Sequence, residues 1–122
     1  MIIKGNIGIG TGTIPLNYKM AVDGKIISTE LFVQLKNLWP DYVFNVDYKL
    51  MPLNELKDFI KINKHLPEIQ SQKAIQEATG LQVGEMQTLL VKKIEELSLY
   101  IIQQDERLNT MQNQLDQLKH NK

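Results

Sequence analysis

Apolar residues recur along the last third of the chain at alternating steps of four and three: Leu90, Ile94, Leu97, Ile101, then Gln104, Leu108, Met111, Leu115 and Leu118. The mean period of 3.5 is that of helices that supercoil around one another. A stripe this narrow finds nothing to bury it except partner helices. In the first half of the segment Leu89, Val91, Leu99, Tyr100 and Ile102 lie off the stripe, whereas Gln103 to Lys122 is polar everywhere else. The widening predicts that something else packs on the first half, and residues 53–63 with the aromatic cluster near Trp39 are the nearest candidate.

Upstream, Leu53, Leu56, Phe59 and Ile60 follow Pro52 at helical spacing and predict a helix over about 53–63. His65-Leu66-Pro67 ends it, since the residue before proline avoids the helical region. Ser71 caps a short second helix running through Ala78, with Gly80 as its stop. Gly84-Glu85-Met86 opens the long helix. Period two at Ile7 and Ile9, with glycines between and around them, predicts a strand in which glycine marks a close backbone approach. Asp23-Gly24 separates Tyr18–Val22 from Lys25–Ser28 and reads as a hairpin. Leu31–Leu35 fits either strand or helix.

These elements amount to an α+β chain in three parts: a β-rich stub over 1–36, a small α/β collar over 37–85, and a coiled-coil helix over 86–122. Ile94 and Ile101 at heptad position a, with Leu90 and Leu97 at d, favour two strands; Leu108 and Leu115 at a weaken that preference. The e and g positions spell no opposite-charge code. Gln104 at d is a buried amide of the kind that sets register. Copy number from the heptad alone lies between two and three, and the glycine-rich stub tilts it to three, because strands meeting at an axis would need glycine.

Composition narrows the chemistry. If roughly 30 of the 122 residues form a rod, the remaining ~90 make a marginal core, for which oligomerisation is the remedy. Fourteen basic residues balance fourteen acidic ones, so no charge excess points to nucleic acid or an anionic membrane. No apolar run is long enough for insertion into a bilayer. With no cysteine, disulfides, thiolate metal sites and cysteine nucleophiles are excluded. Met1–Gly5 shows no basic region leading into an apolar stretch, so no signal peptide is visible. Gly8-Ile9-Gly10-Thr11-Gly12 lacks the rest of a phosphate loop and runs into Pro15 rather than a helix.

No residue set makes a convincing catalytic, cofactor or metal centre. His65 lies just after a helix, where a histidine is electrostatically favoured without a ligand, and the other histidine, His120, is far along the chain. Asp41, Asp47, Glu55 and Asp58 would serve a glycosidase only across a sugar groove that so small a chain scarcely offers. Ser28 with Lys19 or Lys25 lacks any oxyanion hole. Trp39, Tyr42, Phe44 and Tyr48 read as collar core, with a receptor or glycan contact as the rival. Lys92-Lys93 and Glu95-Glu96 read as ordinary solvated helix faces.

Gly5 to Pro15, reading GNIGIGTGTIP, resembles the GNVGIGTTTP-type repeat of phage tail fibres and large surface fibres of Bacteroidetes, and Tyr18–Ile26 is similar to the KLAVNGTI element that follows it. Trp39–Phe44, Asp47–Leu50, Asn63–Ile69, Gly84–Met86 and Lys93–Tyr100 resemble a module that ends such fibres. More distantly, the arrangement looks like the C-terminal intramolecular chaperone of endosialidase-type tail spikes, which trimerises, guides folding of the fibre above it and often cuts itself off at a Ser-Asp bond. This chain has no Ser-Asp dipeptide; Leu38-Trp39-Pro40-Asp41 stands in its place. The resemblance implies a non-enzymatic homotrimer (a dimer as the alternative) on a virion tail or cell-surface fibre. It also implies upstream fibre or baseplate proteins as partners, and a cell-surface glycan or receptor as a further one. Rival readings are a glycan-binding tip, a self-cleaving or glycan-cutting enzyme, and an intracellular coiled-coil adaptor.

Overall fold

The computed structural model describes residues 1–36 and 38–121. The chain divides into two compact units, Met1–Gln34 and Leu35–Lys122.

In the first unit β1 (Ile7–Ile9) and β2 (Met20–Val22) pair in parallel, Ile7 opposite Met20 and Ile9 opposite Val22. The expected hairpin at Asp23-Gly24 does not form. The Asp23 amide instead donates to the Ile9 carbonyl at 2.9 Å, extending the β1–β2 ladder where a turn would have started. Gly10 makes this possible. It sits at φ +72°, and a Cβ there would come within 2.9 Å of the Asp23 carbonyl oxygen. A Cβ on Gly8 would meet the Thr11 carbonyl oxygen at 2.5 Å. The close backbone approaches expected of the glycines are therefore made within one chain. The crossover closes through a turn with Pro15 first and Asn17 third, Asn17 being left-handed at φ +73°, and with the Tyr18 amide donating to the Pro15 carbonyl. Residues 25–36 form no strand or helix, and Ile26, Ile27, Leu31 and Phe32 are exposed. A two-stranded sheet is marginal alone.

The second unit starts with a 3₁₀ turn, Pro40–Phe44. With three residues per turn, Pro40 and Val43 eclipse one another and share a face. Both are buried, Val43 to 1% exposure, where the turn packs on the long helix. Helix α1 spans Leu53–Asn63, as the apolar spacing predicts. Its stop lies at Lys64, left-handed at φ +61° with its amide donating to the Ile60 carbonyl, one residue before the expected His65-Leu66-Pro67 brake. Helix α2 spans Gln72–Ala78, and its Ser71 cap accepts from the Ala74 amide at 3.2 Å. Thr79, rather than Gly80, takes the left-handed position that ends it; Gly80 donates to the Ile75 carbonyl. Helix α3 runs Val83–His120, 38 residues and roughly 57 Å at 1.5 Å per residue. Among the described residues no helix is long and apolar enough to cross a membrane.

Helices, a short sheet and irregular segments together make the chain α+β. Its apolar core is slight: among the described residues only Val43 and Tyr100 are buried hydrophobics. The accessible surface is 11133 Å².

Candidate functional site

The heptad stripe and the face behind it can be read together on α3. Every stripe member is exposed in the single chain, from 43% at Leu90 to 68% at Ile101. Ile94, Leu97, Leu108, Met111, Leu115 and Leu118 fall between, and Gln104 is exposed as well. The collar packs instead on the opposite side of the same helix turns, where Lys92, Lys93, Glu95 and Tyr100 are buried.

This overturns the expectation that Lys92-Lys93 and Glu95-Glu96 are solvated. Glu68 reaches over from the collar and accepts from Lys92 Nζ at 2.5 Å and from Lys93 Nζ at 2.8 Å. Lys93 also donates to Glu96 at 2.9 Å, and Glu96 accepts from the Tyr48 hydroxyl at 2.5 Å. Lys92 lies over the Tyr42 ring, 5.4 Å from its centroid. The Tyr100 hydroxyl donates to the Met51 carbonyl at 2.6 Å. Two ammonium and two carboxylate groups thus form one neutral network, its remaining valences met by tyrosines.

Glu68 is placed by a turn. Leu66-Pro67-Glu68-Ile69 closes through the Ile69 amide on the Leu66 carbonyl, proline second and Glu68 third at φ +67°. This is the pattern of a type II turn, whose third residue is usually glycine. Holding a glutamate there costs on the order of 1 kcal/mol or more. The two lysines hold it in place.

Protonation states follow from these contacts. Desolvation by itself would raise the Glu68 carboxyl, but hydrogen bonds from Lys92 and Lys93, with their charges, outweigh it and leave the group below the ordinary carboxylate value. Burial disfavours charge on Lys92 and Lys93, yet their hydrogen bonds (to Glu68 for both, and to Glu96 for Lys93) win and raise both. Burial, with the neighbouring Glu96, pushes the Tyr48 phenol well above its normal range. The contacts thus favour a charged Glu68 carboxylate and protonated Lys92 and Lys93.

Glu95 is different. Its Oε2 is buried with no hydrogen-bond partner among the described residues. Burial and then the Asp41 carboxylate of the 3₁₀ turn push its carboxyl up.

The aromatic cluster expected as core splits in two. Tyr42 and Tyr48 are half-buried, with ring centroids 6.0 Å apart, and serve the network. Trp39 and Phe44 remain exposed, because Pro40 and Val43 take the inward side of the turn. His65 packs edge-on against Phe59, and its Nδ1 lies 2.8 Å from the Leu66 carbonyl oxygen. Among the described residues no group of three or more histidine, aspartate or glutamate side chains is arranged to hold a metal ion.

Beside the network lies a cavity of about 280 Å³. Its wall combines Met51, Leu56, Leu66 and Pro67 of the collar with Leu97 and Tyr100 of α3, and Tyr48, Lys93, Glu68 and Glu96 border it.

Comparison of the chain with protein-family models, with characterised proteins and with solved structures yields no match.

Proposed function

We propose that the chain is a self-association module, a trimerisation and folding-registration device at the C-terminal end of a tail-fibre-like or surface-fibre protein. The observation that carries this reading is the uncovered stripe. The collar packs against α3 through charged groups on the helix's back, and Leu90, Ile94, Leu97 and Ile101 are left exposed at the same level. Burying a large aliphatic side chain is worth about 1.5–3 kcal/mol. Eight apolar residues among the nine stripe positions of each chain make partner helices the natural cover. Because the glycine approaches lie within one chain, three copies rather than two rests on the resemblance to fibre ends. The mechanism is physical. Helices that associate first raise the local concentration of the β-rich stubs, whose own pairing is too slight to bring chains together. Upstream fibre or baseplate proteins are the partners this role requires. Light scattering on the whole chain and on a truncation ending before Leu89 tests it. A trimer is expected for the first and a poorly folded or monomeric species for the second; a stable, well-folded monomeric full-length chain overturns the reading.

Exposed Trp39 and Phe44 favour a second reading, a glycan- or receptor-binding tip. It requires glycan-array binding that Trp39→Ala abolishes at unchanged stability.

A further inference from the structure

In the heptad that places Ile94 at a, the b positions after Ile94 are Glu95, Ile102, Asn109 and Asp116. Ile102 is the exception among them. It is 53% exposed, and no other large apolar residue beyond Tyr100 lies off the stripe. In a bare coiled coil the b position faces water, and the other three b residues of the series are polar or charged, which sets Ile102 apart. Among the described residues of its own chain, none covers its exposed half. The cavity beside Leu97 lies on the g flank of the stripe, bordered by Lys93 and Tyr100, both g residues, whereas Ile102 lies on the opposite, e flank between Ser98 and Asp105.

A parallel coil brings these two features together. The g flank of one helix faces the e flank of the next, and b borders e. Leu97 belongs both to the stripe and to the cavity wall, so the cavity continues the surface along which a neighbouring helix would lie. We infer that the cavity is a socket for a second copy of this chain and that Ile102 of the neighbouring copy fills it. The inference rests on the self-association reading and deepens it: the collar grips the next helix as well as its own. A cavity of about 150 Å³ with apolar walls already admits a benzene-sized guest, so about 280 Å³ has room for an isoleucine side chain. Each copy carries the socket on one flank and the knob on the other, a head-to-tail relation that closes on itself around a rotation axis.

Two experiments test it on the full chain. In the first, Ile102→Glu is compared with Gln103→Glu, the same charge introduced one residue away at an exposed c position. Coil contacts alone tolerate both. The socket predicts that Ile102→Glu raises the concentration for half-dissociation at least tenfold in sedimentation, with helicity retained, while Gln103→Glu stays within about twofold of the parent. Equal shifts, or none, overturn the socket and leave self-association standing; a parent chain that is itself monomeric overturns both. In the second, chains carrying Leu56→Cys and chains carrying Ile102→Cys are co-expressed and treated with a short bis-maleimide, the parent having no cysteine. Mixed 56–102 cross-links between chains are expected, and their absence while the assembly persists overturns the socket.

Discussion

Between Leu90 and Ile101 the front of α3 presents Leu90, Ile94, Leu97 and Ile101 to solvent, while its back buries Lys92, Lys93, Glu95 and Tyr100 under the collar. A chain built to fold alone would be expected to do the reverse. Withdrawing an ammonium or carboxylate from water costs several kcal/mol before any pairing, whereas burying leucine or isoleucine is favourable from the start. The inversion makes sense once the front is reserved for other copies. A charged joint on the back also has a property an apolar one lacks: it is directional. If α3 rolled about its axis, Lys92 and Lys93 would lose Glu68, and an apolar collar would impose no such penalty. The back fixes the rotation of the helix, and so fixes which stripe faces outward.

The largest effect is expected from breaking the front. Ile94→Asp with Leu97→Asp places two carboxylates in the proposed seam of each copy. The molar mass should fall to that of one chain and the far-ultraviolet helix signal should drop with it, since a long helix with an uncovered stripe has little to hold it. Retention of the assembled mass would show that the front is not the interface. A smaller loss is expected from the back. Glu68→Asn keeps a residue that tolerates the left-handed turn position but removes the carboxylate. Breaking a fully buried ion pair costs about 3–5 kcal/mol; because the Glu68 side chain is 45% exposed, about 1–2 kcal/mol is the fair expectation, read by urea denaturation. If only the joint is affected, Lys92→Met should restore part of it by removing one orphaned charge.

Much of the helical frame is legible in the residues themselves. The Leu53–Ile60 spacing, the Ser71 cap and the heptad each encode their element locally, and α1, α2 and α3 form where these signals lie. The Asp23-Gly24 signal failed because a longer-range ladder, β1 with β2, claimed the Asp23 amide. The ionic joint was not legible at all. Lys92-Lys93 and Glu95-Glu96 have the composition of a water-facing helix surface, and only the fold brings Glu68 and Tyr48 over them. One trace existed: in Leu66-Pro67-Glu68-Ile69 the proline announces a turn whose next position favours glycine, and a glutamate there is a misfit that asks for a reason. The aromatic cluster misled for a simpler cause. Pro40 and Val43, three apart in a tight turn, take the inward side and leave Trp39 and Phe44 outside.

Finer tests separate the members of the back face. Tyr48→Phe deletes the hydroxyl that donates to Glu96 and nothing else. A hydrogen bond to a charged group is worth about 1.5–3 kcal/mol, and partial exposure here brings the expected loss to about 1 kcal/mol, with the assembled mass unchanged. A loss of assembly in this variant would mean that the network reaches the front after all.

Acidity offers the gentlest probe, because Glu68 and Glu95 respond to it in opposite senses. The depressed carboxyl of Glu68 supports the fold fully above the unfolded value of 4.5, and that support is lost as pH falls through its lower folded value. Glu95 is raised above 4.5 by burial and by Asp41. Between 4.5 and that raised value the folded chain therefore holds a proton the unfolded chain has released, and stability declines as pH rises through the window. The wild-type melting temperature, measured at fixed protein concentration from about pH 3 to about pH 8, should thus peak on the acidic side of neutrality. Glu95→Gln replaces the troublesome carboxyl with a neutral group able to donate to Asp41. It should raise the melting temperature at neutral pH and flatten the decline above the peak, while the acid limb belonging to Glu68 stays where it was. A Glu95→Gln chain that melts lower than wild type at neutral pH would mean that the unpartnered carboxylate is held by a contact the isolated chain does not contain, and the neighbouring copy would be the first place to look for it.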